Sequence, residues 1–262
     1  RDVLEINHQM HEGIIRDVLE KANGEQQVQE SLSGIRDDWS TISFETFNHG
    51  GKCRLIKNWS SLFDQCAANL GTLANIKHSM FHAQFERERD ELESKLNILM
   101  NLLNTWVEVQ KQWVYLDGVF GDNSEIKTSL PLESSRFNNI SFEFLALLKR
   151  VSTFDLVIDV ITIKDLPKTM NRLSVSLMKT VKGLTDFLDQ QRDRFPRLFF
   201  LGNEDLLELL GSGSHIQRIN KHMKKMFPGV ALISIDQETS LIRAVSSPQG
   251  EVVELIGPVS LI

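Results

Sequence analysis

Leu92, Leu96, Leu99, Leu103, Trp106, Gln110 and Trp113 are separated by alternating steps of four and three residues, and no proline interrupts them. Such a repeat is the seam of a long helix that packs along its neighbours. It predicts one continuous helix over about residues 85–118, a rod of roughly 50 Å at about 1.5 Å per residue. A leucine and tryptophan stripe is first of all a packing face, so the rest of the chain must supply helices to cover it. Gln110 is the odd member, placed to hydrogen-bond a loop end or to sit at the rim.

All six prolines lie at position 131 or later, which leaves the first half free to run helices and punctuates the second. Helices are expected over about 1–21, ended near Asn23-Gly24, and over 25–39. Residues 41–47 alternate at period two, Asn48-His49-Gly50-Gly51 follows, and residues 52–57 complete a small β-hairpin. Asn58 or Ser60 can cap a helix running through Leu62, Phe63, Cys66, Leu70 and Leu73 towards His78. Beyond the rod, residues 118–131 form a break and a helix covers about 137–151. Val157 to Ile163 is β-branched and predicts a short strand. Met170, Leu173, Leu177, Thr180, Leu184, Phe187 and Gln191 then repeat the heptad spacing. Residues 215–227 make a basic amphipathic helix, and the tail turns strand-like over 230–235, 241–245 and 251–256, with a turn at Ser247-Pro248-Gln249-Gly250.

The densest stretch is Arg192 to Leu210. Pro196 stops the preceding helix near Phe195, residues 198–201 form an apolar connector, and Asn203 is expected to cap a helix with Glu204 and Asp205 in its first turn.

A formal net charge of −6 over 262 residues gives no global reason to bind nucleic acid. Two cysteines, Cys53 and Cys66, exclude a disulfide scaffold and a four-thiolate zinc site. No apolar run approaches the roughly 18 residues that span a bilayer, and Arg1-Asp2-Val3 reads as the start of an excised piece of a longer protein. Phosphate-loop, HExxH, GxSxG and dinucleotide glycine patterns are missing. Gly50-Gly51-Lys52-Cys53 lacks the leading glycine and the hydroxyl of a phosphate loop, and Gly211-Ser212-Gly213-Ser214 lacks its lysine. Asn58-Trp59-Ser60 and Asn139-Ile140-Ser141 match glycosylation acceptors by coincidence. His78, His82 and Glu86, spaced i, i+4 and i+8, would share one helix face as half a metal site, but no further ligand accompanies them. The expectation is therefore no catalytic residue, no cofactor and no metal in this chain.

Phe195-Pro196-Arg197-Leu198-Phe199-Phe200-Leu201-Gly202-Asn203-Glu204-Asp205-Leu206-Leu207 resembles the FPRF(F/Y)FL(S/G)N(D/E)(D/E)LL signature of the linker region of dynein heavy chains, cytoplasmic type. Upstream and in the right order, Trp106, Gln110, Trp113, Leu116, Phe120, Ile126, Leu130-Pro131, Glu133 and Phe137 resemble a second block of that family. The likeness runs from about Glu20 to Ile262 and is strongest from Leu92 to Phe227. Phe63-Asp64-Gln65-Cys66 departs from it, where the family often carries an acidic pair.

The resemblance implies a mainly α fold, an elongated stack of helical bundles with small β-hairpins near residues 41–57 and 230–256. Three parts are expected: N-terminal linker helices with a hairpin over 1–84, central bundles over 85–229, and a β-rich junction over 230–262 leading towards the first AAA+ module. Trp106, Gln110, Trp113, Phe120, Pro131, Phe195, Pro196, Arg197, Phe199, Phe200 and Asn203 would form the structural core of the motif. The implied role is a lever arm that bends and straightens across an AAA+ ring, and the places where the long helices stop, residues 118–131 or 153–167, are where a hinge is expected. ATP, ADP and magnesium would belong to the ring, outside this chain. Implied partners are that ring, microtubules through the full motor and accessory subunits through an upstream tail, in the cytoplasm and on the cytoskeleton, with neither nucleic acid nor membrane. The alternative is a static helical scaffold that binds cargo or adaptor subunits. Arg218, Lys221, Lys224 and Lys225 offer a candidate docking face for an acidic patch, or an ordinary solvated face.

Overall fold

A computed structural model describes residues 8–121, 124–211, 216–236 and 241–260. Among them are eight α-helices and five short strands in two antiparallel sheets, so the chain is mainly α with small β elements. The packing divides into two units, residues 1–110 with 143–172, and residues 111–142 with 173–262.

In the first unit, α1 (His8–Trp39) is one helix of 32 residues where two were expected. Gly24 does not end it. A Cβ there would stand 2.2 Å from the Phe81 ring, so this glycine admits a close-packed aromatic rather than a turn. Strands β1 (Thr46–His49) and β2 (Cys53–Ile56) pair with Phe47 opposite Leu55. Gly50 and Gly51 have φ of 56° and 72°, which accounts for the glycine pair that half matched a phosphate loop. Helix α2 (Trp59–Lys77) starts after Asn58, which is left-handed and makes no side-chain cap; its Nδ2 instead donates to Glu45 Oε1 at 3.1 Å. The expected cap is thus absent.

The predicted rod is α3 (Glu86–Phe120), 35 residues long. Its seam is buried from Leu96 to Trp113, and Leu102, Val109 and Leu116 widen it. In the first unit, Leu32, Ile35 and Trp39 of α1 and Leu62, Cys66, Leu73 and Ile76 of α2 pack with Leu96, Leu99 and Leu103. Phe44 and Trp59 lean on Trp106, with ring centroids 5.8 and 6.3 Å away.

Residues 157–163 are not a strand. They form a 3₁₀ turn over Ile158–Thr162 in which Val157, Val160 and Ile163, spaced by three, share the buried side. That spacing is the 3₁₀ period, and it outweighs β propensity where no strand lies alongside. The backbone N–H of Val157 donates to Ile42 O at 2.9 Å and ties the turn down.

The second unit begins with the end of α3. The short helix α4 (Ser124–Ser129) and α5 (Pro131–Val151) follow; α5 starts about six residues earlier than expected, with Pro131 in its first turn. The seam of α6 (Leu166–Arg194) buries Leu173, Leu177, Thr180, Leu184 and Leu188. A Cβ on Gly183 would lie 2.9 Å from Glu133, so α5 and α6 approach closely there. Helices α7 (Asn203–Leu210) and α8 (Ile216–Met226) lead to β3 (Leu232–Ile235), β4 (Leu241–Ser246) and β5 (Val252–Ser260). These strands form an antiparallel sheet in the order β3-β4-β5, joined by the turn predicted at Ser247–Gly250, where φ of Gly250 is 88°. Start and turn residues 1–7, 212–215 and 237–240 of the sequence-based elements lie outside the described residues.

Candidate functional site

Several signature residues act as fasteners, holding a backbone or ring of another element. Gln110 Nε2 donates to Ile56 O at 2.7 Å, and Gln110 Oε1 accepts from Ile56 N–H at 3.2 Å. One amide thereby closes the end of β2 in a buried setting. Trp113 Nε1 donates to Ser141 Oγ at 3.1 Å, and Phe120 stacks on Phe137 at 5.7 Å.

Around Pro196 the side chains fall into buried and exposed sets. Leu198 and Leu201 are buried, while Phe195, Phe199 and Phe200 are 44%, 62% and 64% exposed. Pro131, Pro196, Arg197 and Asn203 are exposed as well, so placing these four and the three phenylalanines in the core is incorrect, and of the eleven motif residues the core holds Trp106, Gln110, Trp113 and Phe120. The 3₁₀ turn Pro196–Phe200 turns Leu198 inward and the neighbouring rings outward, which the extended connector expected from sequence would not do. Phe195 keeps a partner, with its centroid 6.2 Å from that of Phe227. Arg197 lies 5.2 Å from the Phe227 centroid and donates to Met226 O at 3.3 Å.

Asn203 is not the cap of α7. Gly202 occupies that position without a side-chain bond, and Asn203 Oδ1 accepts from Arg192 Nη2 at 2.7 Å. The buried guanidinium also donates to Leu201 O at 3.2 Å and to Asp189 Oδ1 at 2.9 Å. A charged donor outbids an uncharged backbone N–H for the same oxygen. Arg192 is the residue that sequence reasoning passed over. It stands four residues after Leu188, in line with the buried side of α6, and an arginine in that line needs acceptors to be there.

The basic helix α8 is largely paired within its own unit. Lys221 Nζ donates to both oxygens of Glu208, at 3.0 and 2.7 Å, and Lys225 Nζ donates to Asp205 Oδ2 at 2.6 Å. These hydrogen-bonded ammonium groups, helped by His222, hold both carboxyls below their ordinary range. His222 is buried, with Nε2 at 3.1 Å from Glu208 Oε2 and Nδ1 at 3.6 Å from Asp205 Oδ1. Asp205, Glu208 and His222 converge as metal ligands would, but two ammonium groups already balance the two carboxylates. Of the four basic residues of the candidate docking face, Arg218 and Lys224 stay exposed without a charged partner among the described residues. His78, His82 and Glu86 do not share a helix face. Helix α2 ends at Lys77, His82 Nδ1 lies 2.7 Å from Ser79 O, and Glu86 opens α3.

These features define a class: a helical structural region whose signature side chains join elements together. The family model described as Dynein heavy chain, N-terminal region 2, matches residues 1–261. Three proteins described as "Dynein heavy chain, cytoplasmic" are similar along almost the whole chain. The one from Drosophila melanogaster is 40% identical over 260 residues, covering 99% of this chain and 6% of the relative. The one from Neurospora crassa is 41% identical over 261 residues, covering 100% and 6%. The one from Dictyostelium discoideum is 39% identical over 251 residues, covering 96% and 5%. The chain belongs to the dynein heavy chain family, and it spans only 5% to 6% of the length of these relatives.

Proposed function

We propose that this chain is the linker of a cytoplasmic dynein heavy chain, a lever arm that bends and straightens across the AAA+ ring of the same polypeptide. The observation that carries this reading is the match along the entire chain to cytoplasmic dynein heavy chains. Two continuous helices of 35 and 29 residues, α3 and α6, supply the stiffness a lever needs. Bending belongs where long helices stop, in residues 118–131 or 153–167. On this reading ATP and magnesium act in the ring, and movement is towards microtubule minus ends in the cytoplasm. Accessory subunits join through the upstream tail.

Fluorescent labels at Lys21 and Lys224, both exposed, test this in the full heavy chain. Their separation is measured without nucleotide and with a non-hydrolysable ATP analogue. A change of a few nanometres is expected, and proline substitutions in the true hinge should reduce it. An unchanged distance with ring ATPase intact would favour the alternative, a static scaffold for cargo or adaptor subunits. The exposed Phe199 and Phe200 are the observation on that side, since adjacent solvent-facing aromatics suit a binding surface.

A further inference from the structure

An apolar slot of about 200 Å³ opens in the first unit between the end of α1, the early turns of α3 and the segment around Leu156. Trp39, Leu92, Leu156 and Ile158 give it apolar walls, and the charged side chains lining it are Arg36 and Lys95. Arg36 shares its charge with Glu88, whereas Lys95 has no charged partner among the described residues. The far wall is held in advance, because Val157 and Val160 on either side of Ile158 are fully buried and Val157 N–H is bonded to Ile42 O. Sites for whole small molecules usually run about 300–1,000 Å³. This slot is smaller and suits one large side chain.

We propose that the slot is a docking site for a partner protein's acidic, apolar segment. One large apolar side chain seats against Trp39, Leu92, Leu156 and Ile158, and a carboxylate beside it meets Lys95 and Arg36. A large apolar side chain inserted into a pre-formed pocket is a usual anchor of a protein interface, and a wall already ordered lowers the entropy cost of docking. Charge decides the sign of the flanking residue, since no carboxylate lines the slot among the described residues. The inference does not depend on the lever reading.

The test is a methyl NMR titration of this chain, labelled at isoleucine and leucine, with N-acetyl-Asp-Phe-Asp-amide and with N-acetyl-Lys-Phe-Lys-amide as probes. The acidic peptide should shift the methyls of Leu92, Leu156 and Ile158, and the basic one should bind about fivefold more weakly, as expected for a partly exposed charge contact. Lys95→Glu, an exposed change, should reverse that preference. Leu156→Trp should fill the slot and remove the shifts; if it fails to fold, Lys95→Glu alone decides. Three results would overturn the proposal: no shifts up to the solubility limit of the acidic peptide, shifts centred instead on the exposed Ile14, Ile15 and Leu19, or equal responses to both peptides.

Discussion

Gln110 and Ile56 are 54 positions apart in sequence, yet they exchange two hydrogen bonds, as paired residues of neighbouring strands would. The side-chain amide of α3 imitates a peptide group and finishes the end of β2. Gln110→Ala would leave a buried N–H and a buried C=O without partners, a loss of about 2–4 kcal/mol. Gln110→Glu should also destabilise, since a carboxylate can accept from Ile56 N–H but cannot donate to Ile56 O. Urea unfolding of the three proteins checks this; equal midpoints would show that the clamp carries no weight.

Arg192→Lys should behave as a severe change. A lysine offers one ammonium where the guanidinium uses two nitrogens in a fixed plane, Nη1 on Asp189 and Nη2 on both Leu201 O and Asn203 Oδ1. Loss of about 2–4 kcal/mol is expected, against about 1 kcal/mol or less for Asn203→Ala, which keeps the bond to Leu201 O. If both variants unfold at the same denaturant concentration, Arg192 is not the hub of the junction.

What could be read from the sequence follows the range of the interactions involved. The seam of α3 was legible because burial repeats every turn, and the tight turns were legible because they rest on glycine at positive φ. The actual role of Asn203 was not. Its oxygen goes to Arg192, eleven residues away, and a cap rule that looks only along the helix has no view of that competition. The same holds for Gly24, whose reason for being glycine is Phe81, and for Phe199 and Phe200, whose exposure is set by a 3₁₀ turn. Lys221 and Lys225 counted as a charged face until α7 brought Glu208 and Asp205 beside them.

Acid should loosen the junction of α7 and α8. Asp205 and Glu208 have folded pKa values below their ordinary 3.8 and 4.5, chiefly through hydrogen bonds from Lys225 and Lys221. Their stabilisation is therefore complete above those ordinary values and disappears as the pH falls through the lower folded ones. The wild type should lose more stability between about pH 6 and pH 3 than Asp205→Asn with Glu208→Gln, in which these carboxyls no longer titrate. Urea midpoints across that range give the comparison, and parallel curves would remove these two groups from the acid response.

Cys66 should be inert to thiol reagents in the folded protein. It is fully buried, and burial pushes its thiol up from 9.0 to about 11, so almost no thiolate exists at about pH 8. Ellman's reagent should label it only as fast as the first unit opens. In a Cys53→Ser background the rate should rise with urea in step with unfolding; prompt labelling in native buffer would mean that the α2 face of the core is not closed.

Gly24→Ala sets two effects of opposite sign against each other at one atom. In the interior of a helix alanine is favoured over glycine by about 1 kcal/mol, and Gly24 is interior to α1. The added methyl, however, would meet three carbons of the Phe81 ring at 2.2 to 2.7 Å, well inside contact distance. The ring must leave its place, and overpacking of this kind usually costs about 1–3 kcal/mol. The net change should therefore be destabilising for Gly24→Ala. Adding Phe81→Leu removes the obstructing ring, so in that background the same alanine should become neutral or stabilising. A double-mutant cycle by thermal unfolding reads the difference directly. Stabilisation by alanine in the presence of Phe81 would show that the ring shifts freely and that the close approach is not what requires glycine here.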